Sequence, residues 1–184
     1  MSIERNAGYY DEIYSNPDSG YRLSYFDSTY YNLWKRVLLL IPKTDLTVLE
    51  VGCGTGQFAE MLLDQRSNIT YRGIDFSDVA IKAANQLGNS IGIFFTTESA
   101  YDCKISIDDF IICLETLEHI DDFKFIERIP MGVEIVFTVP DFNDPAHVRY
   151  FKNINEIVTR YSRHLDFSHC EKFDSWFVCK AHRI

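Results

Sequence analysis

Residues 47–62 read TVLEVGCGTGQFAEML, and the character of the chain changes halfway along this stretch. Thr47–Val51 is a short apolar run rich in β-branched residues, the pattern of a buried strand. Gly52, Gly54 and Gly56 interrupt it, and the following periodicity predicts an amphipathic helix through Leu63. Glycines at such a turn let the backbone approach a ligand with no side chain between them. Their spacing is GxGxG, because Gln57 stands where a dinucleotide fingerprint has its last glycine. Glu50, two residues ahead of the glycines, would repel a pyrophosphate but suits a ligand carrying an ammonium and a sulfonium. At roughly 4 Å and an effective dielectric near 20, one such contact has a gross worth of about 4 kcal/mol. The sign of this charge argues against NAD.

Outward from this turn, strands are predicted at 69–74, 91–96, 109–114 and 133–139. Ser77 is placed to cap a helix whose Ala80, Ala83, Ala84 and Leu87 share one face, with Gly88 as its stop. A short helix at 122–128 separates two of the strands. Strands alternating with helices call for a parallel sheet. The end of the chain differs: after a helix at 154–161, strands at 165–170 and 175–182 have too short a connection for a parallel crossover. They are read as an antiparallel hairpin. Upstream, apolar positions from Tyr30 to Ile41 follow helical spacing up to Pro42, and residues 1–28 are tyrosine-rich and irregular. The expected organisation is one domain over 1–184, with a lid and helix at 1–42 and a cofactor-binding core at 47–184.

The net charge is −9, from 27 acidic and 18 basic residues, and no run of five basic residues occurs. Nucleic acids are held largely through Lys and Arg, so this balance argues against a nucleic-acid partner. A local patch from Arg149, Lys152, Arg160 and Arg163 stays open. The five cysteines form no CxxC pair and their number is odd, which points to isolated, reduced thiols and a cytoplasmic setting. The N-terminus has acidic residues and no apolar core, so no signal peptide is read. No segment is long and apolar enough to cross a bilayer, so no membrane partner is expected. Assembly into a homo-oligomer is left open.

Ligands of open α/β sheets bind beyond the carboxyl ends of the strands, so residues following each strand are candidate site residues. Asp75 ends the second strand, where a carboxylate can accept both hydroxyls of a ribose, and Phe76 is placed to pack on an adenine. Glu98 and Ser99 follow the third strand, where Glu98 could accept an adenine amino group. Together VLEVGCGTGQFAEML, YRGIDFSDVAIKAA and DDFIICLETLEHI resemble motifs of the class I S-adenosylmethionine-dependent methyltransferases. The resemblance implies an α/β three-layer sandwich on a seven-stranded, mostly parallel sheet whose last strand is antiparallel. It also implies S-adenosylmethionine as cofactor, with Gly52, Gly54 and Gly56 at its methionine and ribose, Asp75 on the ribose, and Glu98 with Phe76 at the adenine. Glu50, Cys53, Ser99 and Glu115 complete the cofactor set.

The methyl acceptor is read as a small molecule reacting through oxygen or nitrogen. After the fourth strand, Glu115, Glu118 and His119 would share a face if a helical turn began there. His119 is the candidate proton acceptor, with Glu115 and His147 beside it as catalytic residues. The ExxEH pattern is similar to that of the ubiquinone-pathway O-methyltransferases and the small-RNA 2′-O-methyltransferases, where it is associated with a divalent ion. A metal-assisted RNA enzyme and a non-catalytic cofactor-binding subunit are therefore alternatives, and no metal ligands are assigned. Residues 138–151, with Pro140, Pro145, His147 and Arg149, resemble a loop over the acceptor side in small-molecule methyltransferases. Tyr9, Tyr10, Tyr14, Tyr21 and Tyr25 are candidates for a lid over the cofactor.

Overall fold

A computed structural model describes residues 4–87 and 92–184. Its strands are β1 (Leu46–Val51), β2 (Ile69–Asp75), β3 (Ile93–Thr97), β4 (Asp109–Cys113), β5 (Glu134–Pro140), β6 (Leu165–Phe173) and β7 (Trp176–Arg183). They form a seven-stranded sheet in the order β3-β2-β1-β4-β5-β7-β6. Strands β1 to β5 pair in parallel, and β7 runs antiparallel between β5 and β6. The expected hairpin is thus present, joined by a turn in which Asp174 takes a positive φ. Gly88 and Ile91, assigned above to a helix stop and a strand start, lie outside the described residues.

Side chains along each central strand alternate between two cores. Val48, Phe110, Ile112 and Val136 face one core, with Trp34, Val37, Phe58, Met61 and Leu62 from helices α2 (Tyr31–Leu40) and α3 (Gln57–Gln65). Leu49, Ile111, Ile135 and Phe137 face the other, against helices α5 (Asp122–Ile126) and α6 (Ile154–Tyr161) through Phe125, Ile157 and Tyr161. Helix α4 (Asp78–Ala84) is capped by Ser77 Oγ, which accepts from Ala80 N at 3.1 Å, as expected. Period-two alternation into two apolar layers is what a parallel sheet covered on both faces requires.

Four expectations are corrected. Residues 1–28 are not irregular throughout: Ala7–Ser15 is helix α1, capped by Asn6, whose side chain accepts from Tyr9 N. No helical turn begins at Glu115, which adopts a positive φ of 48°. Arg149 and Arg160 do not make a free basic patch, because both pair with the fully buried Asp122. Cys170 and Cys179 are not isolated thiols. They stand at opposed positions of β6 and β7 and are joined as a disulfide, while Cys53, Cys103 and Cys113 are free and buried. The two partners lie nine residues apart, and only strand register brings them together. Among the described residues no helix is long and apolar enough to cross a membrane.

Candidate active site

The sheet order reverses between β1 and β4, and a cavity opens beyond the carboxyl ends of these strands and β2. The glycine turn forms its floor. Gly52 has φ +76°, and a Cβ there would stand 2.2 Å from Thr116 Oγ1, so the two post-strand turns pack in contact only because Gly52 has no side chain. Gly56 has φ +84° and opens α3 in a left-handed conformation suited to glycine. Cys53 is buried, and its Sγ sits against Gly73.

Two carboxylates stand at this turn. Glu50 is 2% exposed and accepts from Tyr71 Oη. Burial pushes its carboxyl up to about 8, with the Tyr71 hydrogen bond opposing and Asp75 adding. Asp75 accepts from Gly54 N at 3.0 Å and Ser77 N at 2.9 Å. Burial raises it to about 6 despite these bonds. An ionised carboxylate offers about four lone-pair sites, so two backbone bonds leave capacity for a ligand's hydroxyls. Phe76 is partly exposed on the cavity wall, and Glu98 reaches the wall while pairing with Arg72 at 3.3 Å. Ser99 lines the cavity and its Oγ accepts from Tyr101 N.

The opposite wall comes from the N-terminal segment. Tyr10, Tyr14, Tyr21 and Tyr30 line the cavity. Tyr9 and Tyr25 do not: Arg5 stacks over Tyr9, and the Tyr25 hydroxyl donates to Asp64 at 2.8 Å on α3. Tyr30 was read only as an apolar helix position; nothing in the local pattern separates it from the others. The glycine turn and the first residue of α3 anchor this segment. Thr55 Oγ1 donates to Tyr21 O at 2.5 Å, and Gln57 Nε2 donates to Gly20 O and Leu23 O. Gln57, the residue that breaks the dinucleotide spacing, therefore ties the N-terminal segment to α3.

Beyond β4 the expected catalytic residues separate. Glu115 lines the cavity, but Trp176 Nε1 donates to it at 2.6 Å and Thr138 Oγ1 at 2.8 Å. Burial raises its carboxyl to about 7 against these bonds. Glu118 is fully buried behind the wall with both oxygens unpartnered, and burial followed by Glu115 holds it well above the carboxylate range. His119 lines the cavity, and its Nδ1–H donates to Ala146 O at 3.1 Å, which leaves Nε2 as a lone-pair acceptor. Burial lowers it to about 4, so the ring is neutral near pH 7. His147 packs behind it, ring centroids 4.8 Å apart, with Nδ1–H on Phe142 O. Glu118, His119 and His147 each bring one donor atom within 4.8 Å of the others, whereas Glu115 is held apart.

This is a Rossmann-like site with acidic and aromatic walls: Arg5 is the one Lys or Arg among the residues lining the cavity, against five carboxylates. A family model described as a methyltransferase domain matches residues 49–128. Over 123 residues the chain is 31% identical to a ubiquinone biosynthesis O-methyltransferase of Actinobacillus pleuropneumoniae serotype 7, covering 62% of this chain and 48% of that protein. The chain spans about half the length of the curated relatives it matches. Its fold is similar to N-methyltransferase NodS from Bradyrhizobium japonicum WM9, crystallised with S-adenosylhomocysteine. That match has 19% identity and TM-score 0.71, and covers 97% of this chain and 99% of that one. It is also similar to magnesium protoporphyrin IX methyltransferase from Synechocystis PCC 6803, with 16% identity and TM-score 0.66 over 96% and 91% of the two chains. Residues 49–128 thus resemble a methyltransferase domain, and the fold is that of the Rossmann-like methyltransferases.

Proposed function

We propose that the chain transfers a methyl group from S-adenosylmethionine to oxygen or nitrogen of a small acceptor. The observation that carries this reading is a cavity whose floor is the GxGxG turn and whose charged lining is acidic, with Glu50 and Asp75 buried beside it. A cationic nucleoside fits that sign and a dinucleotide pyrophosphate does not. The cofactor, when bound, supplies an electrophilic methyl and leaves as S-adenosylhomocysteine. The chain's own residues then have defined tasks. Asp75 accepts from the ribose, Glu50 faces the ammonium and sulfonium end, and Phe76 with Glu98 flanks the adenine. Tyr14, Tyr21 and Tyr30 exclude water from the cation. His119, neutral and fixed in one tautomer, takes the acceptor's proton, with His147 packed behind it. Glu115 shapes the wall. Ubiquinone biosynthesis O-methyltransferases among the relatives agree with a small acceptor.

Titration calorimetry with S-adenosylmethionine, and separately NADH, tests the reading. Saturable binding of the first alone, weakened at least tenfold by Asp75→Ala, is the expected result. A folded chain that binds neither ligand sinks it.

A second reading rests on the unpartnered carboxylate of Glu118. The set Glu118, His119 and His147 fits a divalent cation by donor chemistry and mutual distance. Those three residues would hold it, and its charge would lower the pKa of a nearby hydroxyl. His119 cannot offer one lone pair both to a cation and to a proton. Thermal melts with zinc or manganese decide between the roles: a rise abolished by Glu118→Gln supports the cation, and no rise leaves the base.

A further inference from the structure

Helix α1 carries a polar atom to which the cofactor contacts proposed above give no role. Tyr10 Oη is closed to solvent and has no hydrogen-bond partner. Among the described residues it is the one orphaned buried side-chain atom that belongs to the cavity wall. A buried hydroxyl left unpartnered costs about 1–3 kcal/mol, so a ligand atom is its natural partner. The ring is well held, 5.3 Å from Phe76 and edge-on to His119 at 5.8 Å between centroids. The helix is tethered by Ser77 Oγ, which donates to Asp11 Oδ1 at 2.5 Å, and the residues before it by Tyr101 Oη, which donates to Glu4 Oε1 at 2.6 Å. His119, whose ring meets Tyr10 edge-on, keeps one lone pair on Nε2, because its Nδ1–H is engaged by Ala146 O; that Nε2 lies 4.0 Å from Glu118 Oε1. Tyr10 therefore has a donor to offer and His119 an acceptor.

Building on the methyltransferase reading, we propose that Tyr10 is a catalytic residue that donates a hydrogen bond to the methyl acceptor, and that the reacting atom is a hydroxyl oxygen. A hydroxyl oxygen has two lone pairs and one proton. One lone pair accepts from Tyr10, the proton faces His119 Nε2, and the second lone pair is left for the methyl. The new carbon–oxygen bond forms as the carbon–sulfur bond breaks with its electrons going to sulfur, and the hydroxyl proton passes to His119. An amine nitrogen has one lone pair. Bonded to Tyr10, it would have nothing left with which to attack.

The test uses the full chain, wild type and Tyr10→Phe, titrated first with S-adenosylhomocysteine and then, once saturated, with catechol. Phenylalanine keeps both ring contacts, so the melting temperature and the S-adenosylhomocysteine affinity should stay within about 1 °C and twofold of wild type. Catechol binding should weaken at least tenfold, about 1.4 kcal/mol. Equal catechol affinity in both chains overturns the proposal, as does a wild-type complex that binds no catechol. Loss of S-adenosylhomocysteine binding in Tyr10→Phe also overturns it, making the residue a cofactor contact. These failures leave the methyltransferase reading standing. Wild-type protein that binds no S-adenosylhomocysteine removes that reading, and the role of Tyr10 with it.

Discussion

Glu50 and Asp75 sit side by side at the end of the first two strands, both nearly closed to solvent and both raised by burial. A cation arriving beside them favours their charged forms, so cofactor binding should expel protons. Near pH 7, below the value of about 8 that Glu50 has in the empty protein, binding of S-adenosylmethionine should release up to one proton from that carboxyl. Calorimetry in buffers of different ionisation enthalpy measures this, and Glu50→Gln should remove most of it. Gly52 gives a second expectation at this scale. A methyl group there meets Thr116 and must adopt a strained φ, so Gly52→Ala should lose about 1–3 kcal/mol in urea unfolding. Both residues were marked by the motif, because glycine and a carboxylate at a strand end are local choices. Tyr10 and Tyr30 were not separable from the other tyrosines, since a ring facing ligand and a ring facing core have the same composition.

Among the elements, the turn after β4 depends most on distant support. Arg149 donates to Leu117 O and Ile120 O, and Val148 N donates to Glu118 O, so the segment after β5 clamps the turn that carries His119. Asp122, at the start of α5, accepts from both Arg160 and Tyr161 of α6 and pairs with Arg149. Removing one partner of a buried pair leaves the other uncompensated. Asp122→Ala should therefore destabilise by about 3–5 kcal/mol in urea melts, whereas Lys152→Ala, a nearby exposed change, should stay within about 0.5 kcal/mol. Helix α1 is the opposite case, since none of its residues is buried. Deleting residues 1–16 should leave the sheet folded by circular dichroism while weakening S-adenosylhomocysteine binding at least tenfold.

On the scale of the molecule, the site concentrates groups whose protonation differs between folded and unfolded chains. Glu50, Asp75, Glu115 and Glu118 are all raised in the fold. The folded state binds their protons more tightly, so their contribution is complete below about pH 4.5, and that of Glu50, Asp75 and Glu115 is lost as pH rises through 6–8. His119 is lowered and acts with the opposite sign, but its contribution is complete above about pH 6.5. Between pH 6.5 and 8 the carboxylates prevail, and Glu50 alone contributes a slope of up to about 1.4 kcal/mol per pH unit, falling to about half of that at pH 8. The empty protein should thus melt at a lower temperature at pH 8 than at pH 6.5. Ligand at about 100 times its Kd adds about 2.7 kcal/mol, so S-adenosylhomocysteine should raise the melting temperature by about 5–10 °C.

By itself the sequence determined the order of strands and helices from α2 onward, the parallel sheet ending in a hairpin, the capping of α4 by Ser77 and the acidic glycine turn. Each is written in periodicity, capping or charge within a few residues, where local chemistry has one low-energy answer. Tertiary structure alone decided which way the residues after β4 point. The left-handed backbone at Glu115 turns its carboxylate to Thr138 and Trp176 and leaves Glu118 behind His119. Register across the hairpin likewise set Cys170 opposite Cys179, and the fold of the N-terminal segment chose Tyr10 over Tyr9 to face the site. These outcomes depend on partners far away in the chain, and spacing along a sequence carries no record of such contacts.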